Sequence, residues 1–280
     1  MTAELPFATV GPEDRLPKSA ARRDASPSTP DRQFVTALAR GLEILRCFGP
    51  GDRDLGNQEI ARRTGLPKPT VSRLTHTLRE LGYLRHAPGG GYRLGAAVLS
   101  LGYSMVAQMD VRRVARPLMQ ALAEHTGVSV NLGIRDRHGM IYLDTYRSAA
   151  TFTIQLEAGS RIPLAVTSMG RAYLCGLAEP DRRALLDELR RAEGAEWPRV
   201  KRGIEGALRD YSARGFCTSL GDWRKEIHAI AAPLVTDDGE PIVFSCSGAA
   251  FQLPRERLED EIGPRLLNLV GNVRSAMAYP

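Results

Sequence analysis

The stretch TGLPKPTVSRLTHTLRELGYL, Thr64 to Leu84, decides the fold of the first part of the chain. Gly65 stops whatever helix precedes it, and Gly82 closes the one that follows. Pro69 suits a first helical turn, where its missing N–H is no loss. Between them Val71, Leu74, Leu78 and Leu81 recur at three- and four-residue intervals, so the spacing predicts a helix docked by that stripe. With Val71 at the centre of the buried face, Pro69, Ser72, Arg73, His76 and Glu80 fall on the opposite side, at about 100° per residue.

Upstream, NQEIARRT reads as a short helix capped by Asn57, with Ile60 and Ala61 inward. Before it Phe34, Leu38, Leu42, Leu45 and Phe48 form a helical stripe ended by Gly49-Pro50-Gly51. Downstream, YLRHAPGGGYRL reads as strand, glycine-rich turn, strand, which is a hairpin. Helix, helix, turn, helix, hairpin within residues 31–94 is a winged helix-turn-helix.

Charge points the same way. The chain carries a net +6, but residues 31–94 hold 11 Lys/Arg against 6 Asp/Glu, while residues 95–280 hold 23 against 22. A basic segment joined to a near-neutral body is what a polyanion-binding module looks like; the competing reading is a solvated basic face. In helix-turn-helix readers the first half of the second helix of the motif enters the major groove. Ser72, Arg73 and His76 occupy that half. Arg73 can pair with guanine, whereas serine and histidine discriminate less. Arg62, Arg63, Lys68 and Thr70 stand where phosphate contacts would fix register. In the wing Arg85, His86, Tyr92 and Arg93 are in reach of backbone or minor groove. The expected partner is therefore double-stranded DNA.

The rest of the chain divides by composition. Residues 1–30 carry five prolines among alanine, serine and charges, with no apolar period, and read as a disordered arm. Glu4 and Asp14 interrupt any signal-peptide pattern, and no stretch is long and apolar enough to span a bilayer. GAAVLSLGYSMVAQM, within residues 95–110, is a helix apolar on more than one side. It must be covered, either by the following domain or by a second subunit, and the second reading is preferred because DNA readers of this kind pair up. Residues 111–280 alternate strands and amphipathic helices with a hairpin about Asp238-Gly239. That pattern is an α+β domain with an antiparallel sheet. Cys47, Cys175, Cys217 and Cys246 are scattered without metal-ligand spacing, which suits reduced thiols in a cytoplasmic protein and a chain with no metal or cofactor.

No catalytic signature of the hydrolase, kinase, P-loop or dinucleotide type is present. Cys246 in FSCSGAA and the isolated His228 are the only material for an enzyme, with nothing nearby in sequence to serve Cys246 as a base. In the second domain the helix beginning TSMG offers free N–H groups to a carboxylate, and Ser245 and Ser247, two apart on a strand, share one face. These features suit a small pocket for an organic acid; an ordinary helix cap and ordinary strand serines are the plainer reading.

The chain resembles the IclR family of bacterial transcriptional regulators over about residues 33–276. The likeness rests on EIARRTGLPKPTVSRLTHTLRELGYL and GGGYRLGAAVLSLG in the first domain. In the second it rests on RVARPLMQALAEHTGVSVNLGIRD, IYLDTY, IPLAVTSMGRAYL and AIAAPLVTDDGEPI with SCSG. The resemblance implies a winged helix-turn-helix, a linker helix and a C-terminal GAF-like α/β effector domain. It also implies a homodimer or homotetramer that represses or activates operons, often for catabolism of aromatic and other small acids. Carried over by motif, the effector would be lined by Ile154, Ile162, Ser168, Met169, Ser219, Ile227, Ala229, Ser245 and Ser247. Pro69 departs from the usual Ser or Ala, Thr75 from a common apolar residue, Ala229 from Cys in some relatives, and Glu226 from Gly in many. A constitutive DNA-binding oligomer without ligand, or a GAF-like enzyme with a DNA-binding appendage, are the alternatives.

Overall fold

A computed structural model of the protein describes residues 33–278, apart from positions 50, 53, 148–155 and 238. The N-terminal arm and Ile154 lie outside the described residues. The chain forms two compact units, which meet in sequence between Met109 and Asp110.

The first unit runs α1 (Thr36–Arg46), α2 (Asn57–Thr64), α3 (Lys68–Glu80), β1 (Leu84–His86), β2 (Tyr92–Leu94) and α4 (Ala96–Ala107). Gly65 takes a left-handed φ of 72° and donates its N–H to the Ala61 carbonyl at 2.8 Å. A side chain there would be strained, so glycine makes the sharp exit from α2 that aims α3. Ile44, Leu55, Ile60, Val71, Leu78 and Leu84 form the core under these elements. β1 and β2 pair antiparallel with Arg85 opposite Arg93, and Leu55 adds a bridge to Tyr92.

Two apolar stripes differ from expectation. Phe34, Leu38 and Leu42 are more than half exposed, and α1 docks instead through Gly41 and Ile44. Two neighbouring stripes on one short helix are equally periodic, so periodicity alone does not choose between them. Leu81, the C-cap residue of α3, is also exposed, and the helix docks through Val71, Thr75 and Leu78. Thr75 is fully buried, and its hydroxyl donates to the Val71 carbonyl at 2.9 Å. That back-bond satisfies a polar group that would be costly to bury bare. None of the residues of α4 is buried within the chain: Leu99 is 75% and Tyr103 70% exposed.

The second unit is a six-stranded antiparallel sheet in the order β5-β4-β3-β8-β7-β6. Its strands are β3 (Ser129–Asp136), β4 (Gly139–Tyr146), β5 (Arg161–Pro163), β6 (Cys217–Leu220), β7 (Ile227–Val235) and β8 (Pro241–Ala249). The helices are α5 (Asp110–Thr126), α6 (Ser168–Gly176), α7 (Glu179–Glu193), α8 (Trp197–Arg214) and α9 (Gly263–Ala278). α5 and α9 cover one face, while α6, backed by α8, covers the other. The short β5 forms one edge of the sheet, beside β4. The closing helix opens with a π-helical turn, Arg257–Ile262. Thr167 caps α6, its hydroxyl oxygen accepting from the Gly170 N–H at 3.2 Å. Gly170 is required for packing: a Cβ there would overlap the Leu164 carbonyl, so the start of α6 sits directly on the backbone beneath it.

Candidate functional site

The first candidate surface is built on α3 and the wing. Ser72 and Arg73 in the first half of α3, and His76 just past its midpoint, are all exposed. Lys68 and Arg73 on the helix and Arg85 on the wing are exposed and make no ion pair with a described residue. Unpaired cations on a small convex surface are available to a polyanion. Arg62 is exposed but shares Glu59 with Arg63, hydrogen-bonding it at 2.6 and 2.7 Å. The two guanidinium groups hold the Glu59 carboxyl down at about 2.

Arg63 does not belong to that surface. Its side chain is 14% exposed and reaches inward to Asp52 at 2.5 Å, to Glu59 at 2.6 Å and to the Cys47 carbonyl at 2.9 Å. It braces the loop after α1 against α2, and its charge is taken up before any phosphate could reach it. Arg93 is likewise paired, with Asp54, and Tyr92 is half-buried with its ring stacked on His86 at 5.2 Å.

Asn57 does not cap α2 as its sequence position suggested: Gly56 holds the cap position, Asn57 is the first helical residue, and its Nδ2 donates to Ser72 Oγ at 3.1 Å, which ties α2 to the outward face of α3. Arg79, not singled out from sequence, donates to His76 Nδ1 at 3.2 Å and to His86 Nε2 at 2.9 Å, linking α3 to the wing through two histidines whose acceptor nitrogens face it. The signal for Arg79 was its spacing, one helical turn after His76.

The second candidate is a small recess, partly open to solvent, between the α6 face of the sheet and the start of α6. Of the positions carried over from the family motifs, Ile162, Ser168, Met169, Ile227, Ala229, Ser245 and Ser247 line it. Ser219 does not: its hydroxyl turns away to donate to the Val166 carbonyl at 3.1 Å. The lining also includes Ser129, Asn131, Tyr142, Arg147, Leu156 and Trp223, which sequence reasoning missed. The register explains why they converge. Asn131 stands opposite Thr145 on β4 and Ser245 on β8, and Ser129 stands opposite Ser247, so one face of the sheet carries a cross-strand patch of polar residues. Asn131 Nδ2 donates to Ser245 Oγ at 3.4 Å and Ser247 Oγ at 3.2 Å. Burial pushes the Tyr142 hydroxyl well above the ordinary phenol range, so it stays neutral. The arrangement is a mostly apolar slot with a few fixed polar groups and one cation, Arg147, which is the usual build of a small-molecule site.

Cys246, the one candidate nucleophile, is fully buried, and desolvation pushes its thiol up to about 12. It carries no thiolate at neutral pH. The Nδ1–H of His228 donates to the Leu253 carbonyl at 2.8 Å. Among the described residues no group of His, Cys, Asp and Glu is arranged to hold a metal, and no helix is long and apolar enough to cross a membrane.

Comparison with known proteins gives these two sites a common setting. The IclR helix-turn-helix domain matches residues 37–88, and the bacterial transcriptional regulator IclR C-terminal domain matches residues 103–273. The HTH-type transcriptional regulator TsaQ1/TsaQ2 of Comamonas testosteroni is 36% identical over 87% of this chain and 89% of its own. The Pca regulon regulatory protein of Pseudomonas putida is 28% identical over 92% of each. The crystal structure of an IclR family transcriptional regulator from Brucella abortus is 50% identical, covers 90% of this chain and 96% of its own, and superposes with a TM-score of 0.80. With both domains matched in order on a winged helix-turn-helix and an α/β unit, the chain belongs to the IclR family of bacterial DNA-binding transcriptional regulators.

Proposed function

We propose that this regulator acts in the cytoplasm as a homo-oligomer that reads operator DNA with α3 and the wing, and that a small organic acid in the recess sets its affinity. The observation that carries the DNA reading is the exposed face of α3, where Ser72, Arg73 and His76 are presented beside Lys68 and Arg85, cations without an acidic partner among the described residues. Arg73 and the two other α3 residues reach base edges; Lys68, Thr70, Arg62 and Arg85 hold phosphates. Tyr92 and Arg93 support the wing from behind, which is a smaller role than direct contact.

The outward apolar residues of α1 and α4, Leu38, Leu42, Leu99, Leu101, Tyr103 and Met105 among them, support pairing of two chains. Exposed apolar residues in this number are costly in water, and a two-fold pair presents two reading helices to two half-sites. The recess supports an acid, aromatic ones included, because Trp223 and Tyr142 stand beside Arg147 in its walls. Such a ligand acts only through unequal affinity for two arrangements of the protein.

The test is a gel shift of the purified protein on the DNA upstream of its own gene, with and without carboxylic acids. A specific shift that an acid strengthens or releases is expected. No specific shift would sink the DNA reading. A shift indifferent to every acid, with no acid raising thermal stability, would favour a constitutive binder.

A further inference from the structure

Ser129 Oγ, Thr145 Oγ1 and Arg147 Nε are, among the described residues, the buried side-chain nitrogen and oxygen atoms left without a hydrogen-bond partner. They are not scattered. Val130 pairs with Tyr146 and Asn131 with Thr145, so Ser129 comes opposite Arg147 and Thr145 lies two residues before it on the same face. All three orphans therefore sit at the β3–β4 side of the polar patch, and Ser129 and Arg147 line the recess. Proteins pair nearly all buried polar atoms, so three orphans at one point mark a place where something else supplies the partner.

Elsewhere in the recess Thr167 accepts from Gly170 N–H and donates to the Pro163 carbonyl at 2.7 Å, and Ser245 and Ser247 accept from Asn131 while keeping their own O–H to donate. At the orphan end the chemistry is fixed by Arg147. Its Nη1 donates to Glu157 at 2.9 Å and its Nη2 to the Leu156 carbonyl, which leaves Nε–H, a donor only, facing inward. The missing partner must be an acceptor. It is also best an anion, because Glu157 is 70% exposed and its charge is screened by water on the outer side. No acidic side chain lines the recess to compete.

Building on the reading of the recess as the effector site, we infer that Arg147 Nε–H and the Ser129 hydroxyl hold the effector's carboxylate at the β3–β4 end. The ligand's apolar body then lies along Ile162, Met169, Ile227 and Trp223. This makes Arg147 the residue that selects an acid over its uncharged analogue, and it places the charge away from the start of α6.

Calorimetric titration of the full-length protein tests this with benzoate, 4-hydroxybenzoate, phenylacetate and octanoate, each beside its amide. The wild type should bind at least one acid about tenfold or more tightly than its amide. Arg147→Gln should remove that preference while leaving the amide's affinity in place; Arg147→Lys should keep part of it; Ser129→Ala should weaken the acid by a smaller factor. Circular dichroism and operator affinity without acid check the fold, and Ser129→Ala with Arg147→Lys decide the matter should Arg147→Gln not fold. Acid binding that survives intact in these variants overturns the role of Arg147 and Ser129 and leaves the effector site standing. A wild type that binds none of the acids overturns both.

Discussion

The two units treat their functional polar groups in opposite ways. On α3, Ser72, Arg73 and His76 are exposed, and water can complete whatever Asn57 and Arg79 leave unsatisfied on Ser72 and His76, so their polar atoms cost almost nothing. In the recess Ser129, Thr145 and Arg147 hold polar atoms away from water without a partner, which costs free energy. The first surface is thus ready for DNA with no change in its interior, while the second stores a demand that one class of molecule can meet. A DNA-reading face tolerates substitution without loss of fold; a buried recess does not.

The largest expected effect tests that contrast on the rigid side. Gly170→Ala forces a Cβ into the Leu164 carbonyl, and neither backbone can yield without shifting the start of α6. We expect a loss of about 3 kcal/mol of stability in the second unit, read by denaturant unfolding. An unchanged midpoint would show that the floor of the recess is softer than its packing implies.

Arg63 and Arg73 give the next comparison, because both looked like DNA contacts in sequence and the structure separates them. Arg63→Ala removes one partner from each of Asp52 and Glu59 and should cost about 2 kcal/mol of stability in the first unit. In the fraction that remains folded, the salt dependence of DNA binding should be the same as in the wild type. Arg73→Ala should leave the melting curve alone and cost about 2 kcal/mol of operator affinity, with relaxed preference at one base pair. The reverse pattern in either variant would undo the division of labour between brace and reader. Lys68→Ala and Arg85→Ala should weaken all DNA sequences alike and each lower the slope of log affinity against log salt by about 1.

How much of this was legible in the sequence follows the same division. The winged unit could be read because its information is local: three- and four-residue periods, Gly65 and Gly82 as stops, and a glycine-rich turn between Arg85 and Arg93. What local reading missed there was long in sequence, such as Asp52 reaching Arg63 across a loop, or Asn57 reaching Ser72. In the recess nearly everything is of that second kind. Ser129 and Ser247 are brought opposite each other by strand register, and neither looks unusual alone. Strand spacing and a helix start pointed to Ser245, Ser247 and the beginning of α6, while one position carried over from the family motifs, Ser219, turns its hydroxyl elsewhere. The available hint was alternation along β3, where Ser129 and Asn131 interleave with Val130 and Leu132, all of them buried. A strand buried on both faces with polar residues on one of them is a strand with something polar to meet.

The smallest expected effect lies at Pro69, on the second residue of α3. Proline there pre-sets the first helical turn, and it also deletes one of the free N–H groups that helix starts offer to phosphate. The two consequences run in opposite directions and can be separated. Pro69→Ser should loosen the turn and lower the stability of the first unit by about 0.5 kcal/mol, since the unfolded chain regains freedom. The same change should restore a donor beside Lys68 and tighten operator binding by about 0.5 kcal/mol, roughly twofold. Opposite signs in the two measurements would mean that this chain trades phosphate contact for a stiffer reading helix and leans on Lys68 and Thr70 instead. Weaker or unaltered binding, with the loss of stability present, would show that the N–H at this position never faces the DNA backbone.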